Sequence, residues 1–151
     1  MNEERLTRMR QRLGEAGLDA FLVTHPDDRR YLSGFTGSAG VLLISQTDAF
    51  LLTDFRYVEQ SKAQAPLFDV RQYKDMPDTL ADIVRLAGVS RIGFDSQHVT
   101  YAQYEELKSK VSAEFVPTKD LVSNLRWVKD ANEIACIRKA AEIADAALAE
   151  I

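Results

Sequence analysis

The sequence predicts a three-layer α/β fold, in which a mixed β-sheet of about six strands is flanked by helices. Short apolar runs alternate along the chain with segments in which apolar residues recur every three or four positions. Two of these runs, 41–44 and 50–52, are separated by a short polar connection, which predicts an antiparallel hairpin within the sheet. At 151 residues the chain has the length of one ordinary globular domain.

The positions of the predicted elements follow from these two kinds of pattern, the short apolar run and the helical repeat. The strands are apolar or alternating runs bounded by turn residues, at 20–23, 41–44, 50–52, 68–73, 91–94 and 114–116. The helices show the helical period, at 3–16, from about 55 to 66, at 80–87, at 100–111 and from about 130 onward.

Local end signals set the boundaries in the first third of the chain. Leu6, Met9 and Leu13 lie on one face of the first helix, and Gly17 is a candidate left-handed residue after its end. Pro26 biases the preceding residue away from helical backbone, so the sequence predicts a turn at 25–28.

The later boundaries have similar signals. Asp54 is a candidate N-cap for the helix that begins near Phe55. Gly88 is expected to end the 80–87 helix. Thr100 forms a capping-box pattern with the glutamine three residues later, and Pro117 is expected to end the last strand.

The segment 31–40 is rich in glycine, with Gly34, Gly37 and Gly40 lying between two apolar segments. Glycines at such spacing serve either a tight connection or an anion held by backbone N–H groups. The segment lacks the Gly-Lys-Ser/Thr of a P-loop and precedes a strand, unlike the glycine-rich turn of a dinucleotide site. Ser38 follows the second glycine, so the pattern of a serine hydrolase is also absent.

Composition excludes several functional classes. The net charge of −4 gives no basic surface for nucleic acid. No apolar run reaches the roughly 18 residues of a membrane helix, and the acidic first residues predict no signal peptide. The single cysteine favours a cytoplasmic protein. The only histidines, His25 and His98, are far apart in sequence, and we expect no metal site in this chain.

The last segment carries an apolar stripe that steps by three and four residues. Its members are Ile134, Ile137, Ala141, Ala144, Leu148 and Ile151. Such a stripe needs a partner, so it indicates either a coiled-coil or dimer helix, or the first helix of a second domain. We expect this segment to be the first helix of a second domain.

Three motifs in order resemble the N-terminal domain of the creatinase and Xaa-Pro peptidase family. They lie at 31–38 (Tyr-Leu-Ser-Gly-Phe-Thr-Gly-Ser), at 52–57 (Leu-Thr-Asp-Phe-Arg-Tyr) and at 125–130 (Leu-Arg-Trp-Val-Lys-Asp, followed by Glu133). The resemblance implies that residues 1–128 form a domain of this type. It implies further that residues 129–151 are the linker and first helix of a C-terminal metallopeptidase domain with the pita-bread fold.

The resemblance also implies a division of labour. Two divalent metal ions (manganese, cobalt or zinc) would lie in the C-terminal domain and activate water against bonds involving proline in short peptides. This chain would hold no cofactor and no catalytic residue, and would be inactive alone. It would serve homo-oligomer formation and border the active-site mouth, with Phe35, Arg56 and Tyr57 as the candidate mouth residues.

Other interpretations remain open at this point. Arg56 lies in the first turn of a helix, where the helix dipole disfavours a cation, so it is expected either to pair with Asp54 or Glu59 or to bind a substrate carboxylate. The parent protein could be a dipeptidase or an aminopeptidase. It could also be a creatinase-like amidinohydrolase, or the chain could be a stand-alone binding or dimerisation module.

Overall fold

The computed structural model describes residues 2–150, which form an arrangement of helices and strands. The strands are β1 (Ala20–Val23), β2 (Val41–Ser45), β3 (Ala49–Thr53), β4 (Asp69–Gln72), β5 (Arg91–Asp95) and β6 (Glu114–Thr118). The helices are α1 (Asn2–Glu15), α2 (Pro26–Ser33), α3 (Val58–Gln64), α4 (Met76–Ala87), α5 (Tyr101–Lys110), α6 (Ser123–Trp127) and α7 (Ala131–Ala149). A 3₁₀ turn, Phe55–Tyr57, precedes α3.

The six strands form one sheet in the order β4-β3-β2-β1-β5-β6. Strand β2 pairs antiparallel with both β1 and β3, and the remaining neighbours are parallel. The predicted hairpin is therefore present, with Val41 opposite Leu52 and Leu43 opposite Phe50. The prediction of a mixed sheet is confirmed.

Side chains that alternate along each strand build a core on both faces of the sheet. In β1, Phe21 and Val23 join one core, and Ala20 and Leu22 join the other. Helices α1, α2 and α6 cover the first face, and α4 and α5 cover the second. The architecture is thus the predicted three-layer α/β arrangement.

Local end signals were reliable for the helices that cover the sheet. Gly17 and Gly88 both adopt left-handed backbone, with φ of 62° and 65°. Thr100 and Gln103 form the predicted capping box at the start of α5. Asp54 accepts a hydrogen bond from the backbone N–H of Arg56, as a cap should, although the first turn is 3₁₀ before α3 begins.

Two proline predictions were wrong. The segment predicted as a turn at 25–28 is the start of α2, because Pro26 occupies the first helical position, where no N–H is needed. His25 before it is extended, as the rule for such residues requires. Pro117 does not end β6 but lies within it, which is possible because β6 is an edge strand.

Helix α7 begins with a capping box in which Asp130 and Glu133 bond each other's backbone N–H. Its side chains are exposed along almost the whole length, including Ile134, Ile137 and Leu148 of the predicted stripe. Ile151, the last member of that stripe, lies outside the described residues. The stripe is helical as predicted, and no described residue covers it.

Candidate functional site

The glycine-rich segment is shorter than the sequence suggested, because its first three residues end α2. Gly34 terminates α2 in left-handed backbone, with φ of 82°. Arg29, one turn earlier on α2, is buried and turns back under the loop. Its Nη1 donates to the carbonyl of Gly40 and its Nη2 to that of Gly37, both at 2.5 Å. One guanidinium thus fixes two points of the loop.

Arg29 has no carboxylate partner among the described residues. Its positive charge is therefore met by the two loop carbonyls, and its guanidinium lies 5.6 Å from the centroid of the Phe35 ring. Burial lowers the pKa of Arg29, while the nearby Tyr73 acts in the opposite direction. Sequence reasoning missed this residue, because no helix was predicted over 26–33 and arginine is ordinarily exposed.

Phe35 lies beneath the loop and is fully buried. Although Phe35 was a candidate mouth residue, its ring does not project from the loop, because it belongs to the core that covers the first face of the sheet. Its edge meets the ring of Tyr57, with centroids 5.9 Å apart and planes at 82°. Phe35 therefore supports Tyr57 from below.

Hydrogen bonds tie the loop to neighbouring elements. Ser38 Oγ and the Tyr57 hydroxyl share a bond of 2.8 Å. Thr53 Oγ1 at the end of β3 donates to the carbonyl of Ala39 at 2.6 Å. The backbone N–H of Thr36 donates to Gln64 Oε1 at 2.9 Å, which joins the loop to α3. The loop is a fixed surface.

Arg56 and Tyr57 follow the loop in space as the outer part of this surface. The Arg56 side chain is 56% exposed, and its Nε and Nη2 bind the two oxygens of Asp54 at 3.0 and 2.7 Å. The hydrogen bond from Arg56 lowers the pKa of Asp54, and the same bond raises the pKa of Arg56. The ion pair expected for Arg56 is thus formed with Asp54, while Glu59 pairs with Lys62.

The chemistry available here is polar recognition. We call Ser38, Asp54, Arg56 and Tyr57 the rim surface; it offers a guanidinium, two hydroxyls and one carboxylate. Tyr73 lies beside it, and burial together with the charge of Asp54 raises its pKa. No group of three histidine, cysteine or acidic side chains suited to a metal ion occurs within residues 2–150.

The two histidines, distant in sequence, meet at the carboxyl ends of the parallel strands β1 and β5. The rings of His25 and His98 stack with centroids 3.9 Å apart. His25 Nδ1 is 3.9 Å from Asp28, which is buried and bound at 2.8 Å by Arg126. This cluster joins α2 to α6 and is separate in sequence from the rim surface.

Residues 5–128 match the family of creatinase/prolidase N-terminal domains. The chain belongs to this family. The structure of Xaa-Pro dipeptidase from Bacillus anthracis is similar along nearly the whole of this chain, with a TM-score of 0.96 and 41% identity over 99% of this chain. Peptidase YqhT of Bacillus subtilis is 39% identical over 149 residues.

The match to both relatives covers only part of their length. The chain spans 42% of the Bacillus anthracis dipeptidase and 42% of YqhT. By contrast, the crystallised N-terminal domain of the cytoplasmic peptidase PepQ from Mycobacterium tuberculosis is covered to 98%, with a TM-score of 0.76 and 35% identity. The chain therefore corresponds to the N-terminal part of Xaa-Pro peptidases. None of its described helices combines the length and apolarity of a membrane crossing.

Proposed function

We propose that this chain is the non-catalytic N-terminal domain of a cytoplasmic Xaa-Pro metallopeptidase, a dipeptidase or an aminopeptidase. The observation that carries the proposal is the similarity to Xaa-Pro dipeptidase at a TM-score of 0.96, confined to 42% of that protein. Residues 1–128 would be the domain itself, and residues 129–151 would lead into the catalytic domain. The names of the similar proteins favour a peptidase over an amidinohydrolase.

In this proposal the metal ions belong to the part of the peptidase that this chain does not span. The described residues bring no set of three metal ligands together, so we assign no manganese, cobalt or zinc site to them. When bound in the catalytic domain, such ions would lower the pKa of a water molecule and polarise the peptide carbonyl. The N-terminal domain would contribute shape and recognition only.

An activity assay tests this division. The 151-residue chain and the full-length parent are each incubated with Mn²⁺ and either an Xaa-Pro dipeptide or an Xaa-Pro-Yaa tripeptide, and release of the residue before proline is measured. We expect turnover from the parent and none from the chain. Metal-dependent hydrolysis by the chain alone would contradict the proposal, and so would a parent that cleaves no bond involving proline.

Within the parent, the rim surface would border the active-site mouth. Arg56 and Tyr57 would face the short peptide, and buried Phe35 would act by holding Tyr57 in place. In the full-length enzyme we expect Arg56→Met to raise KM for short peptides more than it lowers kcat. Arg71→Met is the matched control, because Arg71 is similarly exposed and pairs with Asp69 two residues away on β4. If the two variants change KM and kcat equally, the assignment of Arg56 to the active-site mouth is wrong.

A role in homo-oligomer formation is favoured by one specific feature, the exposed stripe on α7. Two members of this stripe, Leu148 and Ile137, are 70% and 56% exposed. If α7 served dimerisation of the chain by itself, sedimentation would show a dimer that Leu148→Glu converts to monomer. A chain that sediments as a monomer with or without this substitution would assign the stripe to the catalytic domain instead.

A further inference from the structure

The direction of α7 depends on contacts at its first turn. All described residues from 134 to 149 are exposed, and only Asp130 and Glu133 at the start of the helix are partly buried. A helix of 19 residues is about 28 Å long, so a rotation of about 10° at its base moves its far end by about 5 Å. Whatever holds the first turn therefore determines where the rest of α7 lies.

The side chain that holds this turn is Arg5 of α1. Its Nη2 lies 2.7 Å from Asp130 Oδ2 and 3.3 Å from Glu133 Oε1. Its Nη1 donates to the carbonyl of Tyr31 at 2.8 Å, and its guanidinium lies 4.1 Å above the Tyr31 ring. The side chain is only 10% exposed. One planar group thus connects α1, α2 and α7.

The partners of Arg5 are themselves fixed. The Tyr31 hydroxyl donates to the carbonyl of Leu125 at 3.1 Å, which anchors the aromatic platform to α6. Asp130 and Glu133 each accept the other's backbone N–H at 2.9 Å in the capping box. Because the capping box ties both carboxylates to the helix backbone, a group that binds both of them also fixes the orientation of the helix axis.

We propose that Arg5 is a positioning residue that sets the direction of α7 relative to the sheet domain. A planar guanidinium is suited to this role because it can bind carboxylates along one edge, a carbonyl along another and a ring with its face. The groove of about 670 Å³ between α2 and α7, which Arg5, Cys136 and Ile137 help to line, keeps its shape only while this direction is held.

The consequence for the enzyme rests on the proposed function. If α7 begins the catalytic domain, Arg5 sets the angle between the two domains and so the place of the rim surface at the mouth. The positioning role itself concerns this chain alone, and its test uses no peptidase activity. A negative result would therefore leave the proposed function standing.

The only cysteine of the chain, Cys136, provides the probe, since it lies on α7, is exposed and borders the groove. A nitroxide on Cys136 broadens the amide signals of nearby residues in a ¹⁵N-labelled sample. In the wild-type chain we expect strong broadening at Arg30, Gly34 and Thr36, which line the opposite wall. The effect falls steeply with distance, so it reports the direction of α7.

The decisive variant is Asp130→Asn with Glu133→Gln. Asparagine and glutamine still cap a helix, so α7 stays helical by circular dichroism, but the charges that bind Arg5 are gone. We expect broadening at the groove amides to fall to less than half. Arg5→Met should do the same, and Arg5→Lys should restore part of the effect. Arg12→Met on α1, whose partner Glu15 lies within the same helix, is the matched control and should change nothing.

Unchanged broadening in the Asp130→Asn/Glu133→Gln variant, with helicity retained, would overturn the proposal. If Arg5→Met unfolds the chain because Arg5 is buried, the double variant decides alone, since both of its positions lie at the surface end of the contact. An equal loss of broadening in Arg12→Met would also overturn it, because the effect would then come from α1 in general.

Discussion

Replacing Gly37 with alanine tests how closely the glycine loop is packed on the rings beneath it. A Cβ at this position would lie 2.2 Å from Cζ and 2.8 Å from Cε2 of Phe35, and 2.9 Å from Cδ1 of Tyr57. These distances are well inside van der Waals contact, so at least one ring must move. The backbone of Gly37 is not left-handed, so the effect is purely steric.

Neither ring can move freely. Phe35 is fully buried in the core, and Tyr57 is held by its hydrogen bond to Ser38 at 2.8 Å. Adding a methyl group to a packed site costs about 1–3 kcal/mol, and the upper half of that range applies because two rings are displaced. For a chain of this length, we expect the Tm to fall by roughly 5–10 °C.

Thermal and urea unfolding followed by circular dichroism measure the effect. Gly14→Ala in α1 is the matched control, because its Cβ would meet only Gln46 Nε2, at 3.8 Å. That exposed helical site should gain up to about 1 kcal/mol from alanine. Replacing glycine with alanine is thus expected to destabilise the chain at position 37 and to stabilise it at position 14.

A double variant identifies the colliding ring. Phe35→Leu removes the atoms nearest the new methyl, so Gly37→Ala should cost less in that background than in the wild-type chain. A Tm for Gly37→Ala within error of the wild type, or equal costs in both backgrounds, would refute the packing of the loop on Phe35.

Three further outcomes are expected, two in the glycine loop and one at the start of α4. Phe35→Ala should lower the free energy of unfolding by about 3–5 kcal/mol, whereas Phe55→Ala, at a ring that is 75% exposed, should change it by less than about 0.5 kcal/mol in urea titrations. Arg29→Met should cost about 1–3 kcal/mol and speed amide hydrogen exchange in the glycine loop, because two carbonyls lose their donor. The bond from Lys110 lowers the pKa of Asp75, so its stabilisation is present above about pH 4 and is lost as the pH falls through the lowered folded value. Asp75→Asn keeps the helix cap, and its urea stability should therefore fall less steeply below pH 4 than that of the wild type.

Helices and strands whose ends are set by residues close in sequence were predictable. The end of α4 at Gly88 and the start of α5 at Thr100 depend on backbone groups within one turn, which local rules describe well. The hairpin of β2 and β3 was predictable because both runs are apolar on both faces, as central strands must be.

Helix α2 was not predictable from the same kind of rule. Proline disfavours helical backbone in the residue before it and favours the first position of a helix, so Pro26 fits both a turn and a helix start. The choice is made by Tyr31 and Leu32, which are buried against the sheet only when the segment is helical. This burial depends on packing against residues that are distant in sequence, so no local rule contains it.

The candidate site was likewise predictable only in part from the sequence. The sequence singled out Phe35, Arg56 and Tyr57, and the structure places Phe35 against Tyr57 and Arg56 at 5.2 Å from the Tyr57 ring. The sequence could not show that Phe35 is buried, because loop position predicts exposure and only the course of the loop over the core reverses it. Arg29 was missed because α2 itself was not predicted and because arginine is ordinarily at the surface.

The ion pair with Asp54 restricts what Arg56 can recognise. Asp54 Oδ1 accepts both the Arg56 backbone N–H and its Nε–H, at 3.0 Å each, so the carboxylate cannot leave the guanidinium without also uncapping the 3₁₀ turn. The second oxygen of Asp54, Oδ2, accepts a hydrogen bond from Nη2 of Arg56. A ligand carboxylate must therefore approach Arg56 from its Nη1 side while Asp54 stays bound. This geometry holds the guanidinium in one orientation, so under the proposed function the rim surface would favour one direction of approach for a substrate carboxylate.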